Sequence, residues 1–144
     1  ALRYRGCVQA FEANGLQFDE QRFYHTGRYS YEFGYSGMQA VLRATPQVTA
    51  VFAMADVIAI GAMRALADAG LRVPADISVV GYDGLKIGSF YTPKLSTVAQ
   101  SVVLLARRSF AVLSDCVENG GSARHITVPF TLLDRESVRK LEPR

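Results

Sequence analysis

The chain has 144 residues, 49% of them hydrophobic and 20% charged, a balance that suits one globular domain or a large piece of one and excludes a disordered segment. Sixteen Lys and Arg against 13 Asp and Glu leave a formal charge of +3, with no basic block long enough to act as a nucleic-acid tail. Cys7 and Cys116 form no Cys-x-x-Cys pair, and His25 and His125 stand far from each other and from either cysteine, so the sequence offers no metal site and implies no cofactor. No apolar run approaches the roughly 18 residues of a membrane span, and no basic-then-apolar leader opens the chain, so the expected location is the cytoplasm.

In chain order, Leu2, Cys7, Val8 and Phe11 fall near helical spacing, and Asn14-Gly15 closes that helix. A short strand is expected from Arg22 to Thr26. Ser30 caps a helix over Tyr31 to about Arg43, with Phe33, Met38, Val41 and Leu42 inward, and Thr45-Pro46 stops it. Ala50 to Met54 reads as a short apolar strand. Asp56 is placed to cap the next helix, and Gly70 ends that helix. Pro74-Ala75-Asp76 turns the chain into Ile77 to Tyr82, a continuous apolar strand of the kind buried on both faces of a parallel sheet.

That strand stops at Asp83-Gly84. A carboxylate just beyond a strand in an alternating α/β unit lies where open parallel sheets bind ligands. After Thr92-Pro93 come a brief extended stretch, Leu95 to Ala99, and a long helix from Ser101 to about Glu118 with an apolar side of Val103, Leu104, Phe110, Leu113 and Val117. Asn119-Gly120-Gly121 breaks it. Arg124 to Leu133 alternates Ile126, Val128 and Phe130 against Thr127, Pro129 and Thr131, which predicts an edge strand.

The chain opens on a helix with no strand before it to begin a βαβ crossover. The expectation is therefore a C-terminal part of a larger fold whose first strand is missing here.

The run TAVFAMADVIAIGAMRALADAGLRVPADISVVGYDG, followed by YTPKLSTVAQ, resembles the ligand-binding half of LacI/GalR-family bacterial repressors. Supporting pieces extend from Arg3-Tyr4-Arg5-Gly6 through Gly34-Tyr35 to Leu133-Asp134-Arg135-Glu136-Ser137. The resemblance implies an α/β, periplasmic-binding-protein-like fold: a parallel-sheet C-terminal lobe with a crossover to an incomplete N-terminal lobe. Residues 1–97 would form the C-terminal lobe, 98–123 the crossover and a helix of the other lobe, and 124–144 the returning strand and tail. The DNA-binding headpiece would lie outside this sequence.

By the same resemblance, Asp83 after Gly81-Tyr82 accepts hydrogen bonds from effector hydroxyls, which a carboxylate can take two at a time; a loop or capping carboxylate is the alternative. Arg3 matches the family's effector-contacting arginine, with Arg5 as local competitor and a solvated helix arginine as the other reading. Tyr29 stands where the family places a ring against the effector, or packs on its own lobe. Gln100 either bonds a ligand in the cleft or satisfies the crossover backbone. Two departures bear on the effector: Ala55-Asp56 replaces a common Asn-Asp pair, and Gly84 replaces a frequent polar residue after Asp83.

The function implied is the effector-sensing and dimer-forming part of a DNA-binding transcriptional regulator. A small sugar-like effector is its ligand, operator DNA is reached through the absent headpiece, and membranes play no part. Dimerisation would use the helix from Asp56 to Ala69, with Met63, Leu66 and Ala67 as contacts or, alternatively, packed on their own sheet. An extracytoplasmic sugar-binding protein of the ribose type is the second reading. Catalysis lacks support, because neither Asp56 nor Asp83 has a sequence-evident partner, phosphate loop or nucleophile elbow.

Overall fold

The structure, a computed structural model, describes residues 2–20, 23–24, 27–122 and 124–140. Helix α1, Leu2–Ala13, opens the described chain, and α2, Tyr31–Ala44, starts at Ser30, whose Oγ accepts the Phe33 N–H at 3.3 Å. That bond satisfies one of the donors a helix start leaves unpaired. Strand β1, Ala50–Phe52, leads to α3, Asp56–Asp68, which gives way at Gly70, φ +72°, a conformation natural to glycine just past a helix. Strand β2, Ser78–Asp83, a 3-10 turn over Lys86–Ser89, strand β3, Ser96–Gln100, helix α4, Val102–Glu118, and strand β4, Phe130–Leu133, complete the order.

The four strands form one sheet in the order β1-β2-β3-β4, the first three parallel and β4 antiparallel to β3. Asp83 pairs with Ala99 in the parallel ladder, so β2 and β3 end side by side. The end of the last strand does lie at a sheet edge, but it begins only at Phe130: residues 124–129 are not paired, and Pro129 supplies no N–H for a ladder. Of the strand expected over Arg22 to Thr26, Arg22, His25 and Thr26 lie outside the described residues, and Phe23 and Tyr24 are in no strand.

The core lies between the sheet and the helix pair α2 and α3. Met38, Ala59, Ala62, Met63, Leu66, Ile77, Val79 and Leu95 fill it. Met63 and Leu66, 3% and 0% exposed, take the alternative left open by the sequence: they pack on their own sheet rather than forming a surface for a partner chain. Ala67 is exposed. α2 and α3 approach backbone to backbone, because Gly34 faces the Ile58 carbonyl and Gly61 faces the Tyr31 carbonyl.

The C-terminal segment is laced onto the sheet. Buried Ser137 accepts the Ser96 N–H at 2.8 Å and donates from Oγ to the Val79 carbonyl at 2.5 Å, while its own carbonyl takes the Val79 N–H at 2.8 Å. Ser137→Ala strands a buried donor and a buried acceptor, each costing about 1–3 kcal/mol, so it should lower unfolding free energy by about 2–4 kcal/mol in urea titrations. A loss below half a kcal/mol would mean that the tail contributes little.

Four carboxyls are held below their ordinary range: Asp76 by hydrogen bonds from Arg72, Asp68 by those from Arg64 and Tyr35, Glu136 by those from the Lys94 backbone and side chain, and Glu32 by the Ser30 side chain. A depressed acid contributes stability that is present above its unfolded value, about 4, and is lost as pH falls through the folded one. Melting temperature should thus decline as pH drops from about 5 toward 2. A flat profile would contradict these pairings.

Helix α4 carries no buried residue. Val102, Val103, Phe110, Leu113 and Val117 along it are 62–77% exposed. Among the described residues, no helix is long and apolar enough to cross a membrane.

Candidate functional site

The carboxyl ends of β2 and β3 bring Asp83 and Gln100 together, and α1 supplies Arg3 across them. Arg3 Nη2 meets Asp83 Oδ1 at 3.0 Å, Gln100 Nε2 donates to the same oxygen at 3.3 Å, and Arg3 Nη1 donates to the Met54 carbonyl. The guanidinium also lies over the Tyr82 ring, 3.9 Å from its centroid. Neighbours in a regular strand point to opposite faces, yet Tyr82 and Asp83 meet one guanidinium. Asp83 has φ +121°, the one described non-glycine residue with positive φ, and this turns its carboxylate back toward Arg3.

Partial burial pushes the Asp83 carboxyl above its ordinary range; the positive charge of Arg3 opposes that shift and the nearby Asp56 carboxylate adds to it. Its side chain keeps 29% exposure, so the carboxylate remains open to a ligand. The chemistry available is that of recognition: a cation with a planar fork, a carboxylate, an amide and an aromatic face.

Behind this group Asp56 is fully buried. It does not cap α3: Ala55 holds the cap position, and the Asp56 oxygens take the Leu85 N–H at 2.6 Å and the Thr97 hydroxyl at 2.6 Å. The reason is geometric, since both oxygens are already used by the turn after β2 and by β3. Thr97 Oγ1 in turn accepts the Gly84 N–H at 3.3 Å.

Of the residues singled out in the sequence, Arg3, Asp83 and Gln100 converge. Tyr29 does not join them: it is 64% exposed ahead of α2, and among the described residues no hydrogen bond or ring contact ties it to the other three. Tyr82 and the Asp56–Thr97 pair were missed. Tyr82 was signalled only by its place beside Asp83, and Thr97 by nothing local.

Elsewhere, a shallow groove of about 450 Å3 runs along the outer side of α2 and α3, lined by Tyr31, Glu32, Tyr35, Ile60, Arg64 and Tyr91. Among the described residues, no three His, Cys, Asp or Glu side chains gather as a metal would need.

The carboxyl ends of two neighbouring strands, where this polar group converges, are where open parallel α/β sheets bind ligands. The chain belongs to the periplasmic binding protein-like domain family, whose model matches residues 1–138. It is similar to the HTH-type transcriptional regulator MalR of Clostridium butyricum, 32% identical over 94% of this chain and 40% of that protein. It is also similar to the HTH-type transcriptional repressor PurR of Pectobacterium carotovorum subsp. carotovorum, 37% identical over 94% of this chain and 40% of the relative. Among solved structures, a transcriptional regulator CelR–cellobiose complex matches with TM-score 0.87 at 32% identity, covering 94% of this chain and 41% of that one. The Lac repressor bound to ONPG matches with TM-score 0.83 at 31% identity, covering 95% and 41%. The chain thus spans about two fifths of the length of these relatives. The resemblance to LacI-type regulators holds in sequence and in fold, and the relatives are regulators, which favours that reading over the transporter one.

Proposed function

We propose that this chain is the effector-sensing portion of a cytoplasmic, LacI-type transcriptional regulator without enzymatic activity, and that Arg3, Tyr82, Asp83 and Gln100 form one wall of its effector cleft. The observation that carries the reading is the convergence of Arg3 and Gln100 on Asp83 Oδ1. Among the described residues both bonds go to that oxygen, which leaves Oδ2 to accept ligand hydroxyls. A small sugar or derivative fits this set, with hydroxyls on the carboxylate and amide and an apolar face for an aromatic ring. Tyr29 would supply that ring from the exposed segment ahead of α2 only by moving against the ligand.

Residues 98–123 are read as crossover and helix of the second lobe, which accounts for the exposed apolar row on α4. An effector that fits one lobe closure better than another shifts the equilibrium by its differential affinity, and operator binding through a DNA-reading headpiece outside this sequence changes reciprocally. Calorimetric titration of sugars, sugar phosphates and nucleobases into the protein that carries this chain tests the reading: saturable binding of one class supports it, and no binding to any of them counts against it.

Dimerisation belongs to the same proposal, on a surface revised by the packing. Arg64 and Ala67, both exposed, stand three residues apart on the outer side of α3, beside the groove with Tyr31, Tyr35 and Tyr91. Ala67→Glu should convert dimers to monomers in sedimentation velocity runs, while Arg107→Glu on exposed α4 should not. Dimers that persist in Ala67→Glu would place the interface elsewhere.

A further inference from the structure

The turn that follows the cleft carboxylate is fastened from below by a buried group. Asp56, 0% exposed at the first turn of α3, takes the Leu85 N–H on Oδ2 and the Thr97 hydroxyl on Oδ1, both at 2.6 Å. Thr97, also 0% exposed, takes the Gly84 N–H. Two consecutive amides just beyond Asp83 are therefore tied to one buried pair that joins α3 to β3. The surroundings are shaped to that pair: a Cβ on Gly81 would come within 2.2 Å of Asp56 Oδ1, and a Cβ on Gly84 would come within 2.5 Å of the Ala99 Cβ. Asp83 sits between these two glycines at φ +121°, a conformation that a non-glycine residue keeps only when its surroundings impose it.

We infer that Asp56, acting with Thr97, is a positioning residue for the effector cleft: by clamping the Gly84 and Leu85 amides it holds Asp83 in the left-handed conformation that points its carboxylate at Arg3 and Gln100. A carboxylate is suited to this place because it accepts from an amide and a hydroxyl at once. An amide at position 56 offers one oxygen and puts a donor where the other oxygen stood. The inference rests on the reading of Asp83 as the effector carboxylate, but the geometry it claims exists without effector.

The test is therefore made on the ligand-free, isotopically labelled chain, as wild type, Asp56→Asn and Thr97→Val. Two signals are followed: the three-bond coupling between amide and α hydrogens of Asp83, small at φ +121° and large in extended backbone, and hydrogen exchange of the Gly84 and Leu85 amides. In Asp56→Asn the Asp83 coupling should rise toward the extended value and Leu85 exchange should quicken at least about tenfold, while amides of the core strand at Val79 keep their protection. In Thr97→Val the same rise is expected, with the exchange gain at Gly84. A cooperative, folded Asp56→Asn protein whose Asp83 coupling is unchanged would overturn the inference. If Asp56→Asn does not fold, Thr97→Val decides, and an unchanged coupling there overturns it equally. Failure of the effector reading shows itself separately, in calorimetry on the wild-type protein, where neither substitution is used.

Discussion

Asp83→Ala is expected to weaken binding of the effector at least about 100-fold, because a carboxylate that accepts two ligand hydroxyls contributes about 1.5–3 kcal/mol for each such bond. The loss should appear in titration calorimetry as a vanished or strongly weakened isotherm. Asp83→Asn keeps one acceptor and the shape, so its loss should be smaller. Asp83→Gly provides a second control: glycine relieves the φ of +121°, a strain of order 1 kcal/mol, so this variant should be at least as stable as the wild type while binding no better than Asp83→Ala. Loss of affinity in a more stable protein cannot be ascribed to unfolding. The pH dependence follows from the same environment. Burial raises the Asp83 carboxyl, so on acidification the accepting form disappears at a higher pH than an ordinary aspartate would give, and affinity should fall there. For stability its sign is opposite to that of Asp76, because a raised acid makes its ionised form the costly one in the fold. Binding within threefold of wild type in Asp83→Ala would remove this residue from the site.

Gly61→Ala should give the largest loss of stability among small surface-neutral changes. A methyl group there would lie 2.0 Å from the Tyr31 carbonyl oxygen and 2.9 Å from the Tyr35 nitrogen, both backbone atoms that cannot rotate away. α2 and α3 must then separate, and the packing of Met38, Ala62 and Met63 between them and the sheet loosens. Overpacking of this kind costs about 1–3 kcal/mol and more when rigid atoms are met, so about 3 kcal/mol or outright failure to fold is expected in denaturant titration. Gly6→Ala makes the contrast. It lies in α1 with nothing within 4 Å of the added methyl, and should stabilise by up to about 1 kcal/mol through helix propensity alone. Equal effects of the two substitutions would mean that α2 and α3 are not in close contact.

Much of this architecture is written locally. The strand–helix–strand run from Thr49 to Gly84, and the helix before it, were legible because their signals are short-range: the apolar run at Ile77 to Tyr82, the glycine at position 70 and, for α2, the Ser30 cap each act within a few residues. Asp83, Arg3 and Gln100 were legible through a motif and a resemblance, and the geometry joins them. What stayed hidden depends on distant partners. Asp56 reads as a cap because it begins a helix, but Leu85 and Thr97, 29 and 41 residues away, claim its oxygens. Met63 and Leu66 read as available for a partner because the helix is apolar on several sides, and only the position of α2 over α3 shows that those sides are the core and that Arg64 and Ala67 face outward. The last strand was overestimated because alternation in sequence says nothing about whether a neighbour exists to accept its hydrogen bonds.

The most direct test of the cleft is a two-dimensional amide and arginine side-chain spectrum followed through titration with the best sugar from the calorimetric panel. Saturable shifts that concentrate on Arg3, Tyr82, Asp83, Gly84 and Gln100 are the result expected. Shifts that concentrate instead along the groove of Tyr31, Tyr35 and Tyr91, or that leave Asp83 and Gln100 untouched at saturation, would contradict the placement of an effector at the ends of β2 and β3.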